Sequence, residues 1–514
     1  MSHQFSCETY FPFPREDVFA WYTSPGALTR LHPPFAGAVL QEPAQGPVDG
    51  ARSVISLNLP GLLGASLTAA AGLLGSIIPV TPPSRVTWRS RHEDFRAGRG
   101  FADVMVSGPL RSWRHDREFV DDGPGTLLRE TVTYELPGER RLPKAAAERL
   151  HRMFDTQLRR IFDYREHQTT EDLAFHQSHG RLDSQRPAVE DEGPDDDPTV
   201  SPQVVAVSGA SGMVGTQVCA LLGGAGIQIR RLVRRDLSGT WQNSGEDEIA
   251  WDPVHGLIDD DALAEADVVI HLAGHPIADR FTEEHKRKVR ESRVRGTTLI
   301  ADALARLEQQ RPAGRALLSG SAIGWYGATA AERTYGQQQL SEEDPAGTDF
   351  MASVCQEWED AARRAEPAGV RVVTLRTGIV QSPAGGALER MLPLFAVGAG
   401  GPLSGEQAQS WISLDDVAAL IVHLALTPQA QGPVNAVAPQ PVSAQEYART
   451  LGAVLHRPAA IPVPSAGPKL LLGSQGAKEI VLADQQVSAQ KAQSLGYSFR
   501  HPDLASALRH LLGR

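Results

Sequence analysis

The chain of 514 residues is poor in cysteine and has no excess of basic residues. Its three cysteines, Cys7, Cys219 and Cys355, are odd in number and far apart, which argues against a disulfide framework and a cysteine-rich zinc site. Its histidines show no metal-ligand spacing, so no metal is expected. The net charge of −11 argues against nucleic acid as the main partner, because phosphate binding needs a concentrated basic surface. A reducing cytoplasm is the expected compartment.

The N-terminus lacks the basic region and apolar core of a signal peptide. Charge is also missing from residues 57–80, which approach the length of a membrane span. Pro60, Pro79 and several glycines interrupt this segment, and such residues weaken a helix. We therefore favour an apolar insertion packed over a pocket, and membrane association is not expected. A membrane-surface hairpin and a true span stay open as alternatives.

Three regions follow one another along the chain. Residues 1–167 combine strand-like runs at 53–59, 86–91 and 127–134 with a short helix at 15–22 and a long helix predicted at 143–168. The polar residues 168–202 include an acidic run and are predicted to be a flexible linker. From residue 203 short apolar runs alternate with helical stretches, which is typical of an α/β fold with a parallel sheet and helices on both faces.

A glycine loop, GASGMVG, directly follows the first strand of the α/β region, and helical residues follow the loop. Glycine permits the tight turn, the close approach of a pyrophosphate and the packing of helix on strand. The N-terminus of the helix offers free N–H groups to phosphates. We therefore predict a dinucleotide site whose phosphate-binding residues are Gly209, Ser211, Gly212, Met213, Val214 and Gly215.

Two arginines, Arg234 and Arg235, follow the second strand of this region. An NAD site has an acidic residue at this place to bind the ribose 2′-hydroxyl, whereas an arginine accommodates a 2′-phosphate. The sequence therefore favours NADP(H) as the cofactor. Asp236 lies next to the arginines, so NAD stays open.

Further motifs give the α/β region a family resemblance. They are HLAGHPIADR at 271–280, LSGSAIGWYG at 318–327, LRTGIV at 375–380 and WISLDDV at 411–417. With these motifs, residues 203–514 resemble the epimerase-like branch of the extended short-chain dehydrogenases/reductases. The resemblance implies a Rossmann domain over 203–455 and a small C-terminal domain over 456–514. It also implies that Leu272, Ala273, Gly274 and Arg376 bind the cofactor, and that Arg280 and Lys286 face the cofactor side. These two cations are candidates to bind an anionic substrate or the cofactor phosphates, and a solvated helix face is the open alternative. Arg293 is a third candidate substrate ligand.

The same resemblance exposes a gap in the catalytic machinery. Dehydrogenases of this group use a serine, a tyrosine and a lysine, and the serine corresponds to Ser321. The positions of the tyrosine and lysine hold Met351 and Cys355, neither of which can take over the role. Tyr326 follows Ser321 in the same loop and is the predicted substitute for proton transfer, although packing is an equally good explanation for this aromatic residue. Arg293 stands where related enzymes have an asparagine.

Residues 1–167 resemble the helix-grip superfamily of lipid-transfer START domains and polyketide cyclases, through PREDVFAWY at 14–22, GPLRSWRH at 108–115 and TVTYELP at 131–137. The resemblance implies an α+β domain in which a curved antiparallel sheet wraps a long helix around an apolar cavity. We therefore expect an NADP(H)-dependent oxidoreductase or sugar-nucleotide-epimerase-like enzyme fused to a domain that binds an apolar small molecule. The alternative is a non-catalytic NADP(H)-binding sensor or carrier.

Overall fold

The computed structural model describes residues 2–43, 46–58, 85–182, 203–237, 244–328, 339–403, 407–459, 461 and 466–514. The chain forms two compact units. The first unit comprises residues 1–195 with the short segments 223–226 and 509–514, and the second comprises 196–222 and 227–508.

The first unit is built on a seven-stranded antiparallel sheet. Its strands are β1 (His3–Phe11), β2 (Gly37–Gln41), β3 (Arg52–Asn58), β4 (Arg85–Arg96), β5 (Gly100–Ser107), β6 (Ser112–Asp122) and β7 (Gly125–Glu135). Strands β2 to β7 pair in chain order, and β1 pairs with β7 at the other edge. Alternate residues of β7 are buried, as expected for a sheet with one face against the core.

The described residues of the first unit form the helices α1 (Arg15–Thr23), α2 (Ala27–Leu31) and α3 (Lys144–Ser178). The predicted end of the long helix at Gln168 is wrong, because α3 continues for ten residues and so includes the first part of the predicted linker. The reason is tertiary packing. Thr169, Asp172, Leu173 and His176 repeat at spacings of three and four, and all are buried. Because three of these four residues are polar, the sequence shows no apolar stripe that would have predicted this part of the helix.

The uncharged segment 57–80 begins in the last two residues of β3, and the rest of it lies outside the described residues. Asn58 and Arg85, the described residues on either side of 59–84, are paired across β3 and β4. Most of the predicted linker, residues 183–202, also lies outside the part of the chain that the structure describes. Among the helices that are described, none combines the length and the apolar character that crossing a membrane requires.

The second unit contains an eight-stranded sheet and two small two-stranded sheets. The strands are β8 (Val204–Ser208), β9 (Gln228–Arg234), β10 (Glu248–Asp252), β11 (Leu257–Ile258), β12 (Val268–His271), β13 (Ala316–Ala322), β14 (Arg371–Thr377), β15 (Ile379–Gln381), β16 (Ala408–Gln409), β17 (Trp411–Ser413), β18 (Gly432–Ala436) and β19 (Val442–Ser443). The order of the large sheet is β11-β10-β9-β8-β12-β13-β14-β18, and every pair is parallel except β10 with β11. The predicted parallel sheet is confirmed.

Helices alternate with these strands. They are α4 (Met213–Gly224), α5 (Asp260–Leu263), α6 (Glu283–Gln310), α7 (Phe350–Arg363), α8 (Gly386–Ala396), α9 (Leu414–Leu426), α10 (Ala444–Leu455), α11 (Ala466–Gly476), α12 (Gln490–Ser494) and α13 (Leu504–Leu512). Single helical turns lie at Glu139–Arg141, Ile323–Tyr326, Glu366–Ala368 and Ala477–Val481.

The strand order reverses direction between β8 and β12, which are neighbours in the middle of the sheet. In open parallel sheets, ligands bind at such a switch point, outside the carboxyl ends of the strands. Ser208 and His271 end these two strands side by side. The glycine loop and the loop that begins at Leu272 therefore leave the sheet together, and they define the candidate site.

Candidate functional site

The glycine loop at the end of β8 is packed too tightly for side chains. Gly209 has φ +71°, and a Cβ atom there would lie 2.9 Å from the amide nitrogen of Ala273. A Cβ atom at Gly215 would lie 2.2 Å from the carbonyl oxygen of Gly209. The first turn of α4 begins at Met213, and its N–H groups have no helical carbonyl to bind. The loop therefore fits the pyrophosphate of a dinucleotide, with Ser211 and Gly212 exposed and Val214 half-buried.

A buried polar pair that the sequence interpretation missed lies beneath both loops. The Ser208 hydroxyl and His271 Nδ1 are 2.6 Å apart, and the amide of Ala273 donates to Ser208 Oγ at 3.3 Å. Burial lowers the pKa of His271 to about 4, so the imidazole is neutral at physiological pH. The pair therefore fixes the two loops relative to each other. The sequence feature that could have predicted this pair is a polar residue at the end of each apolar strand, in VVAVS and VVIH.

The two arginines after β9 differ in their surroundings. Arg235 is half-buried and forms an ion pair with Glu248. Arg234 is exposed, and no carboxylate among the residues described lies within ion-pair distance of it. Of the two predicted phosphate ligands, Arg234 is therefore the one whose guanidinium is available.

The loop after β12 lies over a buried arginine. Leu272 and Ala273 are half-buried and Gly274 is exposed. A Cβ atom at Gly274 would lie 3.3 Å from Cζ of Arg293, so glycine leaves room for the guanidinium. Arg293 projects from α6 and donates to the carbonyl oxygens of His275 and Val289 at 3.0 and 3.1 Å. The predicted substrate ligand Arg293 thus lies beneath the loop and supports it.

Arg293 is 6% exposed. In the described part of the chain no carboxylate pairs with it, and its Nε has no hydrogen-bond partner. Its guanidinium lies 4.9 Å from the ring centre of Trp358, and burial lowers its pKa to about 10. Cys355, one turn before Trp358 on α7, is close enough for the guanidinium to favour its thiolate, although burial dominates and raises the pKa of Cys355 to about 12. A buried cation without a counter-ion therefore lies beside the position of the missing lysine.

Ser321 and Arg376, on neighbouring strands, meet a carboxylate that the sequence interpretation did not single out. Glu359 on α7 is fully buried. It accepts from the Ser321 hydroxyl at 2.8 Å, and from Nε and Nη2 of Arg376 at 2.9 and 3.0 Å. Arg376 was predicted to bind the cofactor, but its guanidinium is engaged in this internal ion pair. The Ser321 hydroxyl likewise points its proton at Glu359.

Tyr326 joins the same network from the turn after β13. Its hydroxyl donates to Oδ1 of Asn435 at 2.7 Å and accepts from Nη1 of Arg376 at 3.2 Å. The residue is 4% exposed, and burial raises the pKa of its phenol to about 12 although the Arg376 charge opposes the shift. The structure therefore brings the two predicted catalytic residues, Ser321 and Tyr326, into one buried network. A catalytic role for either residue stays a prediction.

The remaining predicted substrate ligands lie apart from this network. Arg280 is exposed in the loop before α6. Lys286 pairs with Glu283, donates to Gln475 at 3.3 Å, and lies 5.5 Å from the ring centre of Phe350. Contacts within the protein therefore engage the ammonium group of Lys286, whereas the guanidinium of Arg280 has no hydrogen bond or ion pair with the residues that the structure describes.

Asp236, Asp252 and His255 bring three potential metal-binding atoms within 4.8 Å of one another. Asp252 accepts from the amides of Leu237, Val254 and His255, and from the His255 ring. These bonds explain the cluster as a turn that follows β10, and they lower the pKa of Asp252 to about 2.

Family profiles and curated relatives match the second unit of the chain. The profile of the NAD dependent epimerase/dehydratase family matches residues 205–437, and the profile of a domain of unknown function (DUF1731) matches residues 463–511. An epimerase family protein of Mycobacterium bovis is 37% identical over 60% of this chain and 98% of its own length. Human epimerase family protein SDR39U1 is 32% identical over 60% of this chain and 99% of its own length.

Two solved structures are similar. A nucleoside-diphosphate sugar epimerase from Corynebacterium glutamicum is 30% identical, with a TM-score of 0.72 over 99% of this chain and 90% of that one. Human SDR39U1, solved with NADPH, is 29% identical, with a TM-score of 0.51 over 60% of this chain and 99% of that one. The predicted Rossmann fold and nicotinamide dinucleotide cofactor agree with these relatives. The chain therefore belongs to the NAD-dependent epimerase/dehydratase family of extended short-chain dehydrogenases/reductases.

Proposed function

We propose that the protein is an NADP(H)-dependent oxidoreductase or epimerase-like enzyme whose second unit binds the dinucleotide at the end of β8. The observation that carries this proposal is the glycine loop, which leaves no room for a Cβ atom at Gly209 or Gly215. At these two positions the chain therefore has only backbone, and the first turn of α4 follows the loop. Such a surface binds phosphates through N–H groups and the helix dipole.

The choice of NADP(H) over NAD rests on Arg234 at the end of β9, whose exposed guanidinium forms no ion pair with the described residues. A guanidinium matches the geometry of a phosphate and retains its charge at all physiological pH values. The human relative, solved with NADPH, supports the same choice. When bound, the cofactor supplies or accepts hydride, while the protein orients it and excludes water.

Titration of the purified protein with NADPH and NADH, followed by nucleotide fluorescence, tests this proposal. NADPH should bind more tightly, and Arg234→Asp should weaken NADPH roughly tenfold or more while leaving NADH nearly unchanged, since a charge-assisted contact contributes about 1.5–3 kcal/mol. Arg231→Asp, an exposed arginine on the same strand, is the matched control. Equal affinities for the two nucleotides, or the same loss in both variants, would refute the assignment.

A second candidate function is a non-catalytic NADP(H)-binding sensor or carrier. The observation in its favour is that Ser321 and Tyr326 are held by Glu359, Arg376 and Asn435, and that Met351 and Cys355 occupy the usual catalytic positions. Consumption of NADPH with a panel of carbonyl and sugar-nucleotide substrates separates the two functions. Tight NADPH binding without turnover on any of them would favour the sensor.

We also propose that the first unit is a helix-grip domain that binds an apolar small molecule. The antiparallel sheet, with β1 paired to β7 and the long helix α3 after β7, is the arrangement that the START and cyclase resemblance implies. Binding of the neutral dye Nile red to the full-length protein, and its displacement by apolar compounds, tests this part.

A further inference from the structure

A layer of polar side chains crosses the interior of the first unit. One apolar cluster contains Phe119, Leu128 and Leu173, and a second contains Val132 and Phe162. The residues between them on the same elements are charged or polar. Glu130 separates Leu128 from Val132 on β7, and Arg165 and Thr169 separate Phe162 from Leu173 on α3. The core of this unit is thus divided in two where a continuous apolar interior would be expected.

On the sheet side, the charges of the layer are paired. Arg117 Nη1 lies 2.7 Å from Oδ1 of Asp103, and Arg117 Nε lies 3.4 Å from Oε1 of Glu130. His115 Nε2 lies 2.9 Å from the same Glu130 oxygen, and Trp113 donates to Asp103 at 3.3 Å. Both carboxylates of the layer therefore already have partners.

On the helix side of the layer, some polar groups have no partner among the described residues. Arg165 Nε donates to the carbonyl oxygen of Leu31 at 3.2 Å, but no carboxylate among the described residues pairs with this guanidinium. His32, the residue after Leu31, is 8% exposed, and its Nε2 has no hydrogen-bond partner in the described part of the chain. Buried polar groups are normally hydrogen-bonded, because leaving one unsatisfied is costly. Among the described residues, His32 Nε2 therefore lacks a partner, and only the Nε group of the half-buried Arg165 guanidinium has an acceptor.

The net charge of the polar layer indicates whether a charged or a neutral acceptor would bind there. Arg117 and Arg165 balance Asp103 and Glu130, so the layer has no net charge. Burial lowers the pKa of His32 to about 3, and also lowers the pKa values of His92 and His115, so the imidazoles do not add positive charge at neutral pH. An anion would leave the buried layer with an excess negative charge, which costs free energy. A neutral acceptor would not.

We propose that the first unit binds an apolar molecule bearing one neutral hydrogen-bond acceptor, such as a ketone or ester carbonyl, which accepts hydrogen bonds from Arg165 and His32. The apolar body of the ligand packs against the side chains on either side of the polar layer. This inference rests on the proposed apolar-ligand function of the unit and assigns the chemistry of its polar end.

The test uses the full-length protein and displacement of Nile red by three related probes. Hexanophenone carries a carbonyl, hexylbenzene lacks it, and phenylhexanoate carries a carboxylate. Hexanophenone should bind roughly tenfold more tightly than either of the others, as expected for one hydrogen bond to a charged donor. In Arg165→Met this preference over hexylbenzene should fall to about threefold or less, while hexylbenzene binding persists.

Arg159→Met, an exposed arginine on the same helix, is the matched control and should retain the full preference. His32→Phe is the second variant and should lose part of the preference for hexanophenone over hexylbenzene. Persistent Nile red binding shows that each variant is folded. Equal displacement by hexanophenone and hexylbenzene, or tighter binding of phenylhexanoate, would overturn this inference but leave the apolar-ligand function standing. No Nile red binding to the unaltered protein would instead refute the ligand-binding function itself.

Discussion

The most informative single residue of the Rossmann unit is Arg293, because its buried charge has no carboxylate partner in the described structure. It lies beneath Gly274, in the loop beside the glycine loop, and next to Cys355. In the family to which the chain belongs, a cation is expected at position 355. We infer that Arg293, on α6, supplies the positive charge on the cofactor side in place of that cation.

This inference predicts a rescue. Arg293→Asn should weaken NADPH binding about tenfold, and adding Cys355→Lys should restore a large part of the loss, because it returns a cation to the same region. Arg287→Asn, an exposed arginine on the same helix, is the control. Fluorescence titration provides the dissociation constants. If the double variant binds no better than Arg293→Asn, the charge of Arg293 is not what the cofactor uses.

Tyr326 gives a prediction about pH. Burial raises the pKa of its phenol to about 12, so the folded protein keeps this proton more tightly than the unfolded chain does. The stabilisation is complete below pH 10 and is lost as pH rises toward 12, with an upper limit of about 3 kcal/mol from two pKa units. Tyr326→Phe should flatten this part of the stability profile measured by urea unfolding between pH 8 and 12. An unchanged slope would mean that the phenol ionises normally.

At the scale of elements, Glu359 connects α7 to β13 and β14. Its carboxylate accepts from Ser321 and pairs with Arg376, and both charges are buried. Removing one partner leaves the other charge uncompensated, so Glu359→Gln should lower the free energy of unfolding by about 3–5 kcal/mol. Glu357→Gln, on the same helix, removes only a partly exposed ion pair with Arg290 and should change it by less than about 1 kcal/mol. Urea titration of both variants measures the two changes in the free energy of unfolding. Similar small effects would show that the pair contributes little to the packing of α7.

At the scale of the whole molecule, the two compact units should respond differently to the cofactor. Binding to a folded unit stabilises that unit by mass action, by about 2.7 kcal/mol at a hundredfold excess over the dissociation constant. Calorimetry should therefore resolve two unfolding transitions, of which NADPH raises one. If Nile red binds to the first unit, its fluorescence should be lost in the transition that NADPH does not raise. A single transition that shifts as a whole would show that the units unfold together.

Local sequence was sufficient for the framework of the second unit. The apolar runs that became β8, β12 and β13, the glycine loop and the helix after it were all predicted, because strand length, glycine conformation and helix start are set by neighbouring residues. Arg234 and Arg235 were predicted to follow this strand, and β9 ends at Arg234, one residue later than predicted. Their difference was not predictable, since it depends on Glu248 from the next strand.

Tertiary structure decided the partners of the polar residues. Ser321, Tyr326 and Arg376 were identified one by one, but Glu359 and Asn435, which join them, are distant in sequence and carry no local pattern. The extra length of α3 was concealed for a similar reason, since its last turns bury polar side chains in contacts with other elements. Periodicity of apolar residues reveals which backbone forms, because hydrophobic burial is non-directional. Hydrogen bonds and ion pairs are directional and long-range in sequence, so only the folded chain shows which charges meet and which, like Arg293 and Arg165, have no carboxylate partner among the described residues.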